Sequence, residues 1–325
     1  MYFTRVEDRE FGVKPMNCPS HTYVYASRKR SYRDLPLRYA DFGRLHRYEK
    51  SGVTSGLTRV RSFAQDDAHI FCAPEQIDTE IAMLLNMVHE VYRTFQFREI
   101  RVDLSTRPEH FMGSAEIWRR AEDALGRCLQ NQAVEYRINP GEGAFYGPKI
   151  DFSVRDALRR EWQLATIQLD FSMPERFELT YVTQSGAEAR PVMIHRAILG
   201  SIERFMGILI EHTGGVFPLW LAPVQARALP VTERHNPYAQ TVVGQINAAG
   251  MRAELDGRNE KLSYKIREAQ VAKIPYALVI GDREVREQTV SPRRFGGETL
   301  KAMVLSEFMD LVRAEAKKDM PLPAA

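Results

Sequence analysis

Residues 47–71, RYEKSGVTSGLTRVRSFAQDDAHIF, govern the reading of this chain. Successive side chains of a strand point to opposite faces, so the second half of the stretch sorts by parity. Arg59, Arg61, Phe63, Gln65, Asp67 and His69 share one face. Val60, Ser62, Ala64, Asp66, Ala68 and Ile70 share the other and are smaller or more apolar. Upstream, Arg47 and Glu49 again share a face, and SGVTSG (51–56) supplies the turn-rich connection that joins antiparallel strands. The expected hairpin gathers fixed cations, an acid, an aromatic plate, an amide and a metal-competent imidazole on one surface. Arginine grips phosphate oxygens with two prongs where lysine cannot, and Phe63 offers a stacking face, so the surface suits a nucleotide. The same alternation also fits an exposed strand pair with ordinary salt bridges.

Around this stretch lie 325 residues, 44% of them hydrophobic, enough for two domains with real cores. The net charge of +3 is a mild basic bias, compatible with an RNA partner but no argument for one, since a patch matters more than a sum. Three cysteines, Cys18, Cys72 and Cys128, speak against a disulfide framework and for a reducing compartment. No apolar run approaches the roughly 18 residues of a membrane span, and no apolar leader is visible. The expectation is a cytoplasmic protein with no membrane association.

Upstream of the hairpin, residues 1–43 mix short strand-like pieces with the turn MNCPS; Cys18 precedes a proline, which disfavours helix there, so its thiol is expected on a loop. Taken alone it is most simply a small buried hydrophobe. Downstream, Pro74 opens a helix with Ile77, Ile81, Leu84, Leu85, Val88, Tyr92 and Phe95 at helical spacing. A strand follows at 100–104, then a helix capped by Ser114 and running to about Leu129. NPGEGAFYGP (139–148) must be an irregular loop, with Tyr146 and Lys149 at its downstream edge. A structural turn explains its glycines as well as a ligand does. Strands are expected at 149–154 and 161–170; parity puts Trp162, Thr166 and Gln168 on one side of the second, Gln163 and Ala165 on the other. A strand at 191–194 runs into His195, and a helix from about Gly200 carries Arg204 in its opening turns. A cation there opposes the helix dipole; a triphosphate would account for it, and so would a neighbouring acid such as Glu203.

Residues 218–224 read as a linker between a domain at 1–217 and another at 225–325. The second alternates strands (226–231, 251–255, 276–280) with helices (237–249, 261–269, 302–317), the pattern of a small α/β domain. Its arginines and lysines suit a phosphate backbone or a merely solvated surface.

Arg47-x-Glu49, a loop, and Arg59-x-x-x-Phe63-x-x-x-Asp67 resemble the second motif of class II aminoacyl-tRNA synthetases. The strings KPMNCPS (14–20), SYRDLPLRYADFGRLHR (31–47), FAQDDAHIF (63–71), GEGAFYGPKIDF (141–152), QLDF (168–171) and VMIHRAILGSIERF (192–205) resemble the threonyl-tRNA synthetase family, and the likeness runs from about Tyr2 to about Val312. The resemblance implies an α/β fold: a class II antiparallel sheet flanked by helices, then a small three-layer α/β anticodon-binding domain. It implies a threonine–tRNA ligase with ATP, magnesium and zinc as cofactors and threonine and tRNA(Thr) as partners. Cys18, His69 and His195 occupy the family's zinc-ligand positions, although their separation along the chain gives no such signal by itself. Three protein ligands leave zinc open to substrate, which in the family binds through its amino group and hydroxyl.

By the same likeness Arg47 meets the α-phosphate and the amino-acid carboxylate, and Glu49 reads the adenine amino group. Phe63 and Arg204 sandwich the adenine, with Arg204 also near the γ-phosphate, and Arg59 and Gln163 belong to the nucleotide site. Gln65 and Tyr146 hold the substrate amino group, Asp67 accepts from its hydroxyl, and Lys149 and Gln168 line the pocket. Asn259, Glu284 and Arg293 match anticodon-binding positions. A site that reads the hydroxyl rejects valine by roughly 10⁴–10⁵, whereas serine, short of one methyl, is resisted by only about 10–200-fold. The family usually adds an editing domain, and none is expected within these 325 residues.

Several positions depart from the family. Its first motif, which builds a homodimer interface, would lie upstream of Met1. Ser20 replaces a glycine, Lys50 a proline, Ser55 a histidine and Ser62 a glycine, and Leu164-Ala165 stand where Cys-Gly is usual. These departures leave a second reading open: a synthetase-like paralogue or fragment that binds tRNA or a related RNA without efficient aminoacylation. A zinc hydrolase lacks support, since no motif such as H-E-x-x-H ties a carboxylate to the ligands.

Overall fold

The computed structural model describes residues 1–319; the last residues of the expected second domain, 320–325, lie outside them. The chain divides into two compact units, Met1–Glu211 and a second from His212 onward.

The first unit is built on a seven-stranded sheet. In spatial order the strands are Leu37–Asp41, Asp67–Cys72, Val192–Ala197, Glu161–Asp170, Lys149–Arg155, Ile100–Ser105 and Arg137–Asn139. All neighbours are antiparallel except the last pair. Ile150, Phe152 and Val154 alternate into a fully buried face, against which the helices Ile77–Thr94 and Ala115–Asn131 pack. Ser114 caps the second of these, its Oγ accepting from Ile117 N at 3.2 Å. The opposite parity of the same strand carries Asp151 and Ser153, also buried. A covered polar face needs partners, and that face holds the site.

Three expectations are corrected by tertiary demands. First, the hairpin ladder is much shorter than parity implied: Arg44–His46 pairs with Ser62–Ala64, and 47–61 is a turn-filled loop with one isolated bridge, Ser55 to Arg59. The run breaks at Gln65-Asp66 because the Asp66 carboxylate turns inward. It accepts from the backbone N–H groups of Ile198, Leu199 and Gly200 at 2.8, 3.0 and 3.1 Å. Second, Cys18 sits on a helix, Cys18–Ala26. Pro19 falls in its first turn, where a missing N–H breaks no helical bond. Third, a bulge between Gln163 and Thr166 resets the parity of the Glu161–Asp170 strand and brings both side chains to one side. The N–H of Ala165, lost to the ladder, donates to Tyr92 Oη at 2.8 Å.

The second unit has a five-stranded sheet, ordered Ala253–Leu255, Ala226–Pro230, Tyr276–Ile280, Thr289–Arg294, Met303–Val304; the first three are parallel. Ala226, Ala228, Leu278 and Ile280 face the helices Asn236–Ala248 and Leu305–Asp319. Leu229 and Ala277 face Leu262–Val271 across the sheet, so the unit has three layers. The helix Asp282–Glu287 and the strands from Thr289 escape sequence reading: DREVRE has no apolar period, and Pro292 argues against a strand. Among the described residues, no helix is long and apolar enough to cross a membrane.

Candidate active site and metal centre

The site of the first unit lies largely on one row of the sheet. Tyr39 pairs with His69, His69 with His195, His195 with Gln168, Gln168 with Lys149, and Lys149 with Ser105. Directly opposed residues on adjacent strands point the same way with Cβ atoms roughly 5 Å apart, so four sequence-predicted residues become neighbours through register alone. A second row, two residues along, carries Thr166, Asp151 and Asp103.

Cys18 meets this row from the first turn of its helix. The ligand-competent atoms of Cys18, His69 and His195 all lie within 4.8 Å of one another, and all three residues are buried. Tetrahedral zinc with S–Zn near 2.3 Å and N–Zn near 2.05 Å needs ligand atoms roughly 3.3–3.6 Å apart. The donor set and its spacing fit that ion after a contraction of about 1 Å. The outer partners fit as well. Asp170 Oδ2 lies 3.0 Å from His195 Nε2, leaving Nδ1 for the centre. His21 Nδ1 lies 2.7 Å from His69 Nδ1, leaving Nε2.

Burial pushes His69 far below the ordinary imidazole value, and the neighbouring His195 adds to this, so His69 is neutral. Burial alone lowers His195 too, but hydrogen bonds to Asp170 and Cys18 outweigh it and raise it to about 9. His21 is lowered by burial despite Asp67 and Asp41 nearby. Asp67 is raised by burial against the hydrogen bond it accepts from Asn17 Nδ2 at 3.1 Å. Its Oδ1 stands 3.7 Å from His69 Nε2, at the edge of the trio.

Beside the trio, Tyr146 donates to Gln168 Oε1, and its ring centroid is 5.1 Å from that of His195. Burial holds the Tyr146 phenol well above its usual range, so it remains a donor. Gly147 allows this placement: a Cβ there would lie 2.1 Å from Leu169 O. The polar chain continues from Gln168 Nε2 to Thr166 Oγ1 (3.3 Å) and from Thr166 Oγ1 to Asp151 Oδ1 (3.1 Å). Asp151 also receives Gln163 Nε2 (2.6 Å), Ser105 Oγ (3.0 Å) and Lys149 Nζ (2.8 Å). Asp151, Asp170, His21 and Asn17 are not singled out by the sequence. Asp151 carried a signal, a polar parity opposite Ile150 and Phe152; His21 did too, one turn from Cys18.

Of the remaining predicted residues, Phe63 is buried. Arg47 lies over the Phe63 ring, 5.1 Å from its centroid, and donates from Nε to Pro15 O at 3.1 Å. Arg59 Nη2 pairs with Glu49 Oε2 at 3.1 Å. Arg204 Nε donates to Thr58 O at 2.9 Å and Nη1 to Gln163 O at 3.4 Å. Burial and then the nearby Arg59 lower its pKa. The helix expected from about Gly200 spans Ile202–Thr213. Gly200 has φ +72°, with a virtual Cβ 2.8 Å from Leu164 O. Gln65 bridges Ser201 through its backbone.

In the second unit, Glu284 accepts from Gly281 N (2.9 Å) and Ser291 Oγ (2.7 Å), while Asn259 is exposed. Arg293 keeps a buried Nε without a hydrogen-bond partner. Among the described residues no hydrogen bond joins these three.

Residues 2–213 match the tRNA synthetase class II core domain (G, H, P, S and T), and residues 222–315 match an anticodon binding domain. A threonine–tRNA ligase of Symbiobacterium thermophilum is 54% identical over 315 residues, 97% of this chain and 48% of that protein. Threonine–tRNA ligase 2 of Bacillus subtilis is 53% identical over 310 residues, 95% of this chain and 48% of that protein. The chain thus spans about half the length of the curated relatives it matches. A crystal structure described as the RNA binding domain of threonyl-tRNA synthetase from Cryptosporidium parvum superposes with a TM-score of 0.93 at 43% identity. It covers 100% of this chain and 80% of that one.

Proposed function

The chain belongs to the threonyl-tRNA synthetase family of class II aminoacyl-tRNA synthetases, and from that premise we propose that it activates threonine with ATP and transfers the threonyl group to tRNA(Thr). The observation that carries this reading is the convergence of Cys18, His69 and His195 on one sheet row beside Tyr146 and Gln168. A thiol and two imidazoles, each imidazole backed by an outer partner, suit zinc.

When bound there, zinc would supply an open Lewis-acid position for the amino group and hydroxyl of threonine. Asp67 accepts from that hydroxyl, which sets threonine apart from valine. Gln65 and Tyr146 hold the amino group, and Gln168 keeps the Tyr146 hydroxyl oriented. Lys149 and Gln163, both anchored on Asp151, line the pocket towards the nucleotide. Glu49 reads the adenine amino group with Arg59 beside it, and Phe63 and Arg204 take the two faces of the base. For Phe63 to stack, the Arg47 guanidinium leaves its ring for the α-phosphate and the threonine carboxylate. Magnesium, when bound with ATP, would offset triphosphate charge.

The threonine carboxylate attacks the α-phosphorus and pyrophosphate leaves; a hydroxyl of the tRNA terminal adenosine then attacks the adenylate carbonyl, the ester bond forming as the acyl–phosphate bond breaks and AMP leaves with release of the hydroxyl proton. No side-chain nucleophile is needed; orientation and charge stabilisation carry the step. Asn259, Glu284 and Arg293 are assigned to the anticodon. The cytoplasm is the expected setting, and three free cysteines accord with a reducing compartment.

Threonine-dependent ATP–pyrophosphate exchange tests the reading, repeated with Cys18→Ser. Exchange in the parent chain that is lost on substitution supports it. No exchange in the parent, with tRNA still bound, favours a non-charging paralogue.

A further inference from the structure

We propose that His21 is a positioning residue of the metal centre: its Nδ1 accepts the Nδ1–H of His69 and so fixes His69 in the tautomer that presents a bare Nε2 to Cys18 and His195. The proposal rests on the zinc reading above. The two Nδ1 atoms are 2.7 Å apart, so one carries the proton and the other the lone pair. If His69 donates, its Nε2 is free to ligate. If His21 donates, the proton of neutral His69 sits on Nε2, 3.7 Å from Asp67 Oδ1, and ligation is blocked. The contact therefore admits two states, and the proposal is that His21 holds the one that accepts a metal.

The helix Cys18–Ala26 supplies both parts of this arrangement. Cys18 and His21 are three residues apart, hence on one helix face, so the element that brings the thiol also brings the acceptor. His21 is 7% exposed, and its ring is boxed in edge-on to His69 (4.8 Å, 74°) and tilted on Tyr39 (5.7 Å). That packing opposes a ring flip that would withdraw Nδ1. His195 is set by a carboxylate, Asp170, and His69 by a neutral ring. Two nitrogens of opposite type, Nδ1 of His195 and Nε2 of His69, thereby face the centre, each ring held by an outer partner at its other nitrogen.

The test is zinc affinity of the full chain by competition with a chromophoric chelator, alongside the visible spectrum of the cobalt(II)-loaded form. His21→Leu keeps an apolar filling but has no acceptor, whereas the Oδ1 of His21→Asn falls near the lost Nδ1. Loss of an outer partner typically lowers metal affinity by about 10–100-fold. The expected result is a fall of that size for His21→Leu with weakened cobalt d–d bands, and near-parental values for His21→Asn. Parental affinity and spectrum in His21→Leu would overturn the proposal. So would equal losses in both variants with unchanged thermal midpoints, which would assign the effect to ring packing. A parent chain that takes up no zinc overturns the metal reading itself, together with what rests on it.

Discussion

Lys149 Nζ sits 2.8 Å from Asp151 Oδ2, and that carboxylate, 6% exposed, also takes hydrogen bonds from Gln163, Thr166 and Ser105. Two residues that line the proposed pocket thus share one buried anchor. Asp151→Asn removes the counter-charge of Lys149 and presents an amide N–H₂ to a donor. Hydrogen bonds to a charged group contribute about 1.5–3 kcal/mol, so pyrophosphate exchange is expected to fall about 10- to 100-fold. Exchange kinetics with separate threonine and ATP titrations check it; unchanged constants for both substrates would remove Asp151 from the site.

Gly147→Ala asks the loop 139–148 to move, because the new methyl would lie 2.1 Å from the Leu169 carbonyl. Overpacking of this kind costs about 1–3 kcal/mol. Tyr146, the preceding residue, is expected to lose Gln168 and raise the threonine KM more than the ATP KM. Thermal unfolding and the two KM values read the effect.

Removal of the metal separates the two halves of the pocket. A strong zinc chelator is expected to abolish threonine-dependent exchange while leaving binding of a fluorescent ATP analogue within about twofold, since Arg47, Phe63 and Arg204 do not belong to the trio. Equal loss of both activities would mean that the centre is only a structural staple.

Asp156 gives a pH dependence with a definite sign. Burial alone raises its pKa, but hydrogen bonds from Arg160 and Trp162 prevail and hold it at about 2, below the ordinary 3.8. A carboxylate depressed on folding contributes stability that is present above pH 3.8 and lost as pH falls through about 2. Asp156→Asn is therefore expected to destabilise the chain at pH 7, with the gap to the parent closing as pH falls through that window. Urea unfolding at stepped pH checks it.

Arg293→Ala removes a guanidinium whose buried Nε has no partner. If it meets tRNA, affinity is expected to drop with the salt slope shallower by about one. Pyrophosphate exchange without tRNA should stay at the parental level.

The sequence by itself determined the elements whose cause is local. Ile77, Ile81, Leu84, Leu85, Val88 and Tyr92 announce a helix at 3.6-residue spacing, and all are buried as that spacing requires. Ser114 caps where expected, and Ile150, Phe152 and Val154 alternate into the core. These signals depend on neighbours a few positions away, and the family resemblance rests on strings just as short. What the tertiary structure alone decided depends on residues far apart in sequence. The pairing of Asp67–Cys72 with Val192–Ala197 sets His69 opposite His195, and the helix that starts at Cys18 brings Cys18 and His21 onto that pair. Asp66 ends a strand because three distant N–H groups require its carboxylate, and the bulge at Leu164-Ala165 turns Gln163 towards Asp151. Periodicity tells a side chain which face it occupies; only strand order and register decide what stands opposite.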